Sequence, residues 1–150
     1  MLLDMSTLAS TKTFADQLES ENQEIDIILL NAGVLNTTFH LSEEGYEQTI
    51  QVTVLSTALL ALLLLPWLKT AGKGRAHLAF VTSGRHRSVA IESWPKENVL
   101  QWLSKEENWP SSMYATAKLL EQYVANEVAK LALNTYGVPE VIVNPMCPGQ

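Results

Sequence analysis

Tyr114 and Lys118 stand four residues apart in the run Tyr114-Ala115-Thr116-Ala117-Lys118, at the start of an amphipathic stretch over residues 113–133. On a helix, positions i and i+4 share a face, so the phenol and the ammonium point the same way. A free phenol loses its proton at about pH 10, and a nearby ammonium favours the phenolate. The pair therefore suits a phenol that gives or takes a proton nearer neutrality. The spacing alone is unspecific, because Tyr and Lys are both common on solvated helix faces. The elements around the pair must decide.

Those elements alternate. Met1 to Met5 reads as the end of a strand. Ser6 or Thr7 caps a helix to about Ser20, with Leu8, Phe14 and Leu18 inward. Residues 25–30 are apolar and partly β-branched, the pattern of a strand covered on both faces, and they end at Asn31-Ala32-Gly33. Ser42 is a good N-cap, with Glu43 and Glu44 in the first turn of a helix over residues 43–69 that Pro66 bends or shortens. Gly72-Lys73-Gly74 is a turn. Residues 76–81 form a second buried strand, ending at Thr82-Ser83-Gly84. Residues 85–110 are a long excursion with a short helix at 96–104, a length usual for functional loops. Ser111 or Ser112 caps the Tyr114 helix, Gly137 stops it, and residues 140–144 are a third strand leading to Pro148-Gly149. This order predicts a parallel sheet with helices on both faces, whose ligands bind beyond the carboxyl ends of the strands.

Composition narrows the classes. The chain has 150 residues, 47% hydrophobic and 17% charged, with a net charge of −6. One modest domain, or part of a larger one, with a real core fits this, and disorder does not. No basic run exceeds Arg85-His86-Arg87, which argues against a nucleic-acid groove. Cys147 is the single cysteine, so an internal disulfide and a thiol metal cluster are excluded, and His40, His77 and His86 lack metal-ligand spacing. No metal site is expected. The apolar run 54–65 is shorter than the roughly 20 residues of a membrane span, so a buried helix is the better reading. The N-terminus lacks the pattern of a signal peptide, and a reducing, cytoplasmic setting fits.

With the strand ends in view, the chain resembles the short-chain dehydrogenase/reductase family. Asn31-Ala32-Gly33 matches the NAG motif at the end of the family's fourth strand. Ser83 matches the catalytic serine after the fifth, Tyr114 and Lys118 match YxxxK on the next helix, and Pro148-Gly149 match the PG pair after the sixth. The order makes these jointly specific. The long insert before Tyr114 is similar to that of fungal secondary-metabolite members and of retinol-type relatives.

The resemblance implies an NAD(P)-dependent oxidoreductase of a ketone or alcohol, with a leaning to NADP. Ser83, Tyr114 and Lys118 would be catalytic. Tyr114 would exchange the proton, Lys118 would lower its pKa and hold the nicotinamide ribose, and Ser83 would position the substrate oxygen. Asp4 would contact the adenine. Asn31, Ala32, Gly33, Tyr114, Lys118, Pro148 and Gly149 would contribute to the cofactor site. The helices at 43–69 and 113–133 would form a homodimer or homotetramer. The partners expected are a small carbonyl or alcohol substrate, with no nucleic acid and no membrane.

Two departures stand against the family pattern. Thr53 occupies the place of the family's asparagine, which holds a water in the proton relay; a hydroxyl offers one donor where an amide offers two. The glycines lie at 33, 45, 72, 74, 84, 137 and 149, so no GxxxGxG phosphate loop is present. Aligned by motif, the chain begins at the family's third strand and ends before its seventh. The expected fold class is therefore α/β, a single partial Rossmann-type doubly wound parallel sheet over residues 1–150, lacking the first two strands and the glycine-rich loop. The alternative function is a truncated, non-catalytic remnant that acts at most as a dimerisation or partner-binding module.

Overall fold

The computed structural model describes residues 1–149. A three-stranded parallel sheet runs in the order β1 (Ile27–Leu30), β2 (His77–Val81), β3 (Ile142–Met146). Ile27 pairs with His77 and His77 with Ile142, so the carboxyl ends of β1 and β2 lie side by side. The helices are α1 (Leu8–Glu21), α2 (Gln48–Ala71), α3 (Val99–Leu103) and α4 (Met113–Leu131). Short 3₁₀ segments occupy Gly84–Ser88 and Glu106–Asn108.

Leu30, Leu78 and Phe80 point to one sheet face. There they pack with Ala15 of α1, Leu60, Ala61, Leu64 and Leu68 of α2, and Ala125 and Val128 of α4. Burial of this kind supplies roughly 25 cal/mol per Å² of apolar area, and it fixes α2 and α4 beside each other against the sheet. A second cluster joins Ile50, Val54, Leu103, Met113 and Ala117, and so anchors α3 to the first turn of α4.

Several expectations are corrected. The outer strands β1 and β3 are not covered on both faces, whereas the central β2 is buried as expected. The helices share one face, and on the other Ile27 is 66% and Leu29 54% exposed. Residues 1–5 form no strand; Met5 is instead buried, its carbonyl accepting from Ser56 Oγ at 2.7 Å. Thr7, not Ser6, caps α1. The helix expected from residue 43 starts at Gln48 because Ser42 closes a tight turn, accepting from Tyr46 N at 3.2 Å, and the Glu47 carboxylate caps the helix through Ile50 N. The helix then runs through Pro66 to Ala71. Burial of Leu64, Leu65 and Leu68 outweighs the one backbone bond that proline removes. At 24 residues it is long and apolar enough to cross a membrane by length and composition, yet 67% of its apolar window is buried within the fold. The helix of α4 ends before Gly137, which lies at φ +74° in the turn that follows. β3 is shifted two residues toward the C-terminus and takes in Pro145.

Candidate functional site

Lys118 is where the sequence motifs meet. Ser112 caps α4 by accepting from Ala115 N, which sets the first turn and places Tyr114 and Lys118 on one side of the helix. The Lys118 Nζ lies 5.8 Å from the centroid of the Tyr114 ring. It donates to the carbonyl of Val81, the last residue of β2, at 2.6 Å. A Cβ on Gly33 would lie 3.5 Å from Lys118 Nζ and 3.5 Å from Thr53 Oγ1. The glycine of the NAG run, the threonine in the asparagine position and the lysine of YxxxK therefore converge at one point, beyond the ends of β1 and β2. Thr53 is fully buried and its hydroxyl faces Val34 N at 3.5 Å. It sits in a six-residue π-helical stretch, Gln51–Ser56, within α2; such bulges re-aim side chains and recur at functional sites.

Ser83 stands two residues beyond Val81 and caps the 3₁₀ turn, its Oγ accepting from Arg85 N at 3.4 Å. That turn packs on α4. Ser83 shares a cavity of about 390 Å³ with Gly84, Arg85, Ser88, Cys147 and Gly149. Gly149 of the PG pair thus reaches the serine's surroundings. Tyr114 opens instead into a cavity of about 280 Å³ lined by Leu35, Asn36, Arg85, Trp109 and Ser112. Arg85 borders both cavities. Asn31 and Ala32 line a third, of about 110 Å³, with Leu3, Met5 and Leu29. Asp4 is exposed, and the Ser6 hydroxyl, together with Ser6 N, which donates to the carboxylate at 2.8 Å, holds it below the usual carboxylate range. It therefore also serves the turn that precedes α1.

Two groups escaped the sequence reading. Glu121 is buried, and its Oε2 accepts from Lys118 Nζ at 2.8 Å while Oε1 has no partner among the described residues. Burial pushes its carboxyl up to about 7, against the opposing pull of Lys118. The i, i+3 spacing from Lys118 was the available signal. Cys147 is exposed, and backbone N–H groups of Gly149 and Gly84, the latter at 3.2 Å, hold its thiol below the usual range. Only the pairing of β3 with β2 brings it beside Ser83. Among the described residues, no cluster of His, Cys, Asp and Glu could hold a metal ion.

Comparison with known proteins agrees with this architecture. The family model for short chain dehydrogenase matches residues 1–92. A short-chain dehydrogenase/reductase of Aspergillus flavipes is 40% identical over 97% of this chain, and one of Phaeosphaeria nodorum is 38% identical over 98%. Among solved structures, a putative short chain dehydrogenase of Pseudomonas syringae aligns over the whole chain and 55% of its own length, at 24% identity and a TM-score of 0.68. A short chain dehydrogenase of Burkholderia cenocepacia in complex with NADP aligns over the whole chain and 52% of its own length, at 16% identity and a TM-score of 0.67. The chain belongs to the short-chain dehydrogenase/reductase family, whose members use NAD(P), and its fold is the family's Rossmann-type sheet in part. The fungal likeness read from the sequence agrees with these relatives. The chain spans 43% and 44% of the length of the two fungal proteins.

Proposed function

We propose that this chain carries the proton-transfer side of an NAD(P)-dependent oxidoreductase site that acts between a nicotinamide and a ketone or alcohol. The observation that carries the reading is the Lys118 ammonium, held at the strand ends beside Tyr114, with Gly33 and Thr53 next to it. Tyr114 exchanges the proton with the substrate oxygen. Lys118 stabilises the phenolate by its charge and donates to the nicotinamide ribose. Ser83 orients the substrate oxygen, and Arg85, at the border of both cavities, faces the same space. Asn31, Ala32 and Gly33 line the cofactor cleft, Pro148 and Gly149 close it, and Asp4 lies toward the adenine. Bound dinucleotide supplies the hydride. Asn31 and Ala32, which precede Gly33, line the small cavity at the strand ends, and the pyrophosphate of a dinucleotide finds no glycine-rich loop among the described residues. NADP is favoured over NAD, in a cytoplasmic setting and a fungal secondary-metabolite role.

The test is NADPH oxidation by the chain with a panel of ketones. Tyr114→Phe is expected to lower turnover at least about a hundredfold while nucleotide binding, read by fluorescence, persists. Equal turnover in the variant would remove Tyr114 from the role.

A second reading has its own support. An apolar cavity of about 470 Å³ lies between α2 and α4, lined by Val54, Ala58, Leu62, Leu120, Val124 and Leu131. In this reading the chain is a non-catalytic remnant that pairs with a second copy across these helices. Dimerisation by sedimentation with no NADPH binding would favour it.

A further inference from the structure

Glu121 lies one helical turn beyond Lys118, on the side of the ammonium, and is 1% exposed. The Lys118 side chain is itself 4% exposed. Two opposite charges thus meet in the interior, at the point where Gly33 and Thr53 also converge. Thr53 offers no amide to hold the lysine's surroundings. One carboxylate oxygen of Glu121 accepts from Lys118, and the other is buried without a partner among the described residues. That free oxygen is an open place for a proton.

We propose that Glu121 is a positioning residue for Lys118. Ionised, it ties the ammonium into a neutral buried pair; protonated at its free oxygen, it releases the full positive charge of Lys118 toward a bound dinucleotide. The proposal rests on the reading of the Tyr114–Lys118 cleft as a dinucleotide site. The proton comes from solvent and no other group changes. Other elements packed on α4 carry Glu47 and Lys69 on or next to α2, His77 on β2, and Arg85, His86 and Arg87 on the 3₁₀ turn. Among the described residues none of these bonds to Glu121; Lys118 is the one charged group that does. The carboxyl's rise to about 7 by burial places the change near neutrality.

The linkage has a definite sign. Below that point the pair carries a net positive charge, and above it none, so an anionic dinucleotide binds more tightly at the lower pH. The experiment titrates the full chain with NADH and NADPH by fluorescence between pH 5.5 and 8.5. NADH is included because the 2′-phosphate of NADPH has its own titration in this range. Wild-type affinity for NADH is expected to fall by about fivefold or more across the range. Glu121→Gln is expected to hold the tight-binding level throughout, and Glu121→Asp to restore a pH break. In parallel, carbon-13 NMR of the glutamate carboxyls follows wild-type Glu121 directly, with no need of a variant that folds. Its inflection is expected near 7 and should move higher in Lys118→Met, since the lysine is what lowers it. An ordinary glutamate titration in the wild type, or an unchanged pH break in Glu121→Gln, overturns the proposal. Absence of binding at every pH in the wild type instead overturns the dinucleotide reading on which the proposal rests.

Discussion

Lys118 has three N–H donors and the fold occupies two of them, one on the Val81 carbonyl and one on Glu121. Gly33 lies against the same ammonium, where a Cβ would stand 3.5 Å from Nζ. Glu121 also bears on stability. Its folded-state value of about 7 lies above the ordinary 4.5, so the native state holds a proton that the unfolded chain releases between those values. The corresponding stability is fully present below about 4.5 and is lost as pH rises through about 7. The displacement is worth on the order of 3 kcal/mol. The wild-type melting temperature is therefore expected to fall between pH 5 and pH 8. The double change Lys118→Met with Glu121→Leu should flatten that slope, because an apolar pair of similar size replaces a buried ion pair at little cost. Persistence of the full slope in the double variant would assign it elsewhere. Buried Glu47, raised by desolvation in the same direction, is the competing source.

At the scale of elements, α2 is the part on which site geometry depends. Its first turn is held by the Glu47 carboxylate, which accepts from Ile50 N at 3.0 Å and Thr49 Oγ1 at 3.1 Å. Glu47→Ala should cost about 1–2 kcal/mol by removing that cap, read as a lowered urea midpoint with unchanged slope. At its other end the helix turns into β2 over Gly72. A Cβ there would stand 2.2 Å from the Ala76 Cβ and 2.7 Å from the Leu68 carbonyl oxygen. Backbone lies on one side and a strand-leading residue on the other, so neither yields easily. Gly72→Ala is expected to destabilise by about 2–3 kcal/mol, and an unchanged midpoint would show that this corner is looser than its packing implies.

The whole molecule is asymmetric. Its helices cover one sheet face, while Ile27, Leu29, Ile142 and Met146 lie open on the other. β1 also presents an unpaired edge among the described residues. Apolar surface beside a free ladder favours self-association. The 150-residue chain is expected to bind a hydrophobic dye and to associate with rising concentration in light scattering. Leu29→Lys should reduce both without unfolding the chain, since Leu29 is half exposed and outside the core.

Local chemistry was legible along the chain. Alternating apolar runs and turn residues mark the strands and helices, and Asn31-Ala32-Gly33, Ser83, Tyr114 with Lys118, and Pro148-Gly149 mark strand and helix ends, because backbone propensity and side-chain period act over a few residues. The i, i+3 relation of Lys118 and Glu121 was equally local, but an exposed pair and a buried one look alike in sequence. What tertiary structure decided was burial and neighbourhood. It set which sheet face is covered, the π-helical turn around Thr53, the Glu47 cap in place of Ser42, and the meeting of Gly33, Thr53 and Lys118 from three separate segments. Those outcomes depend on which distant surfaces exclude water together, and the energy of that exclusion is a property of the assembled fold.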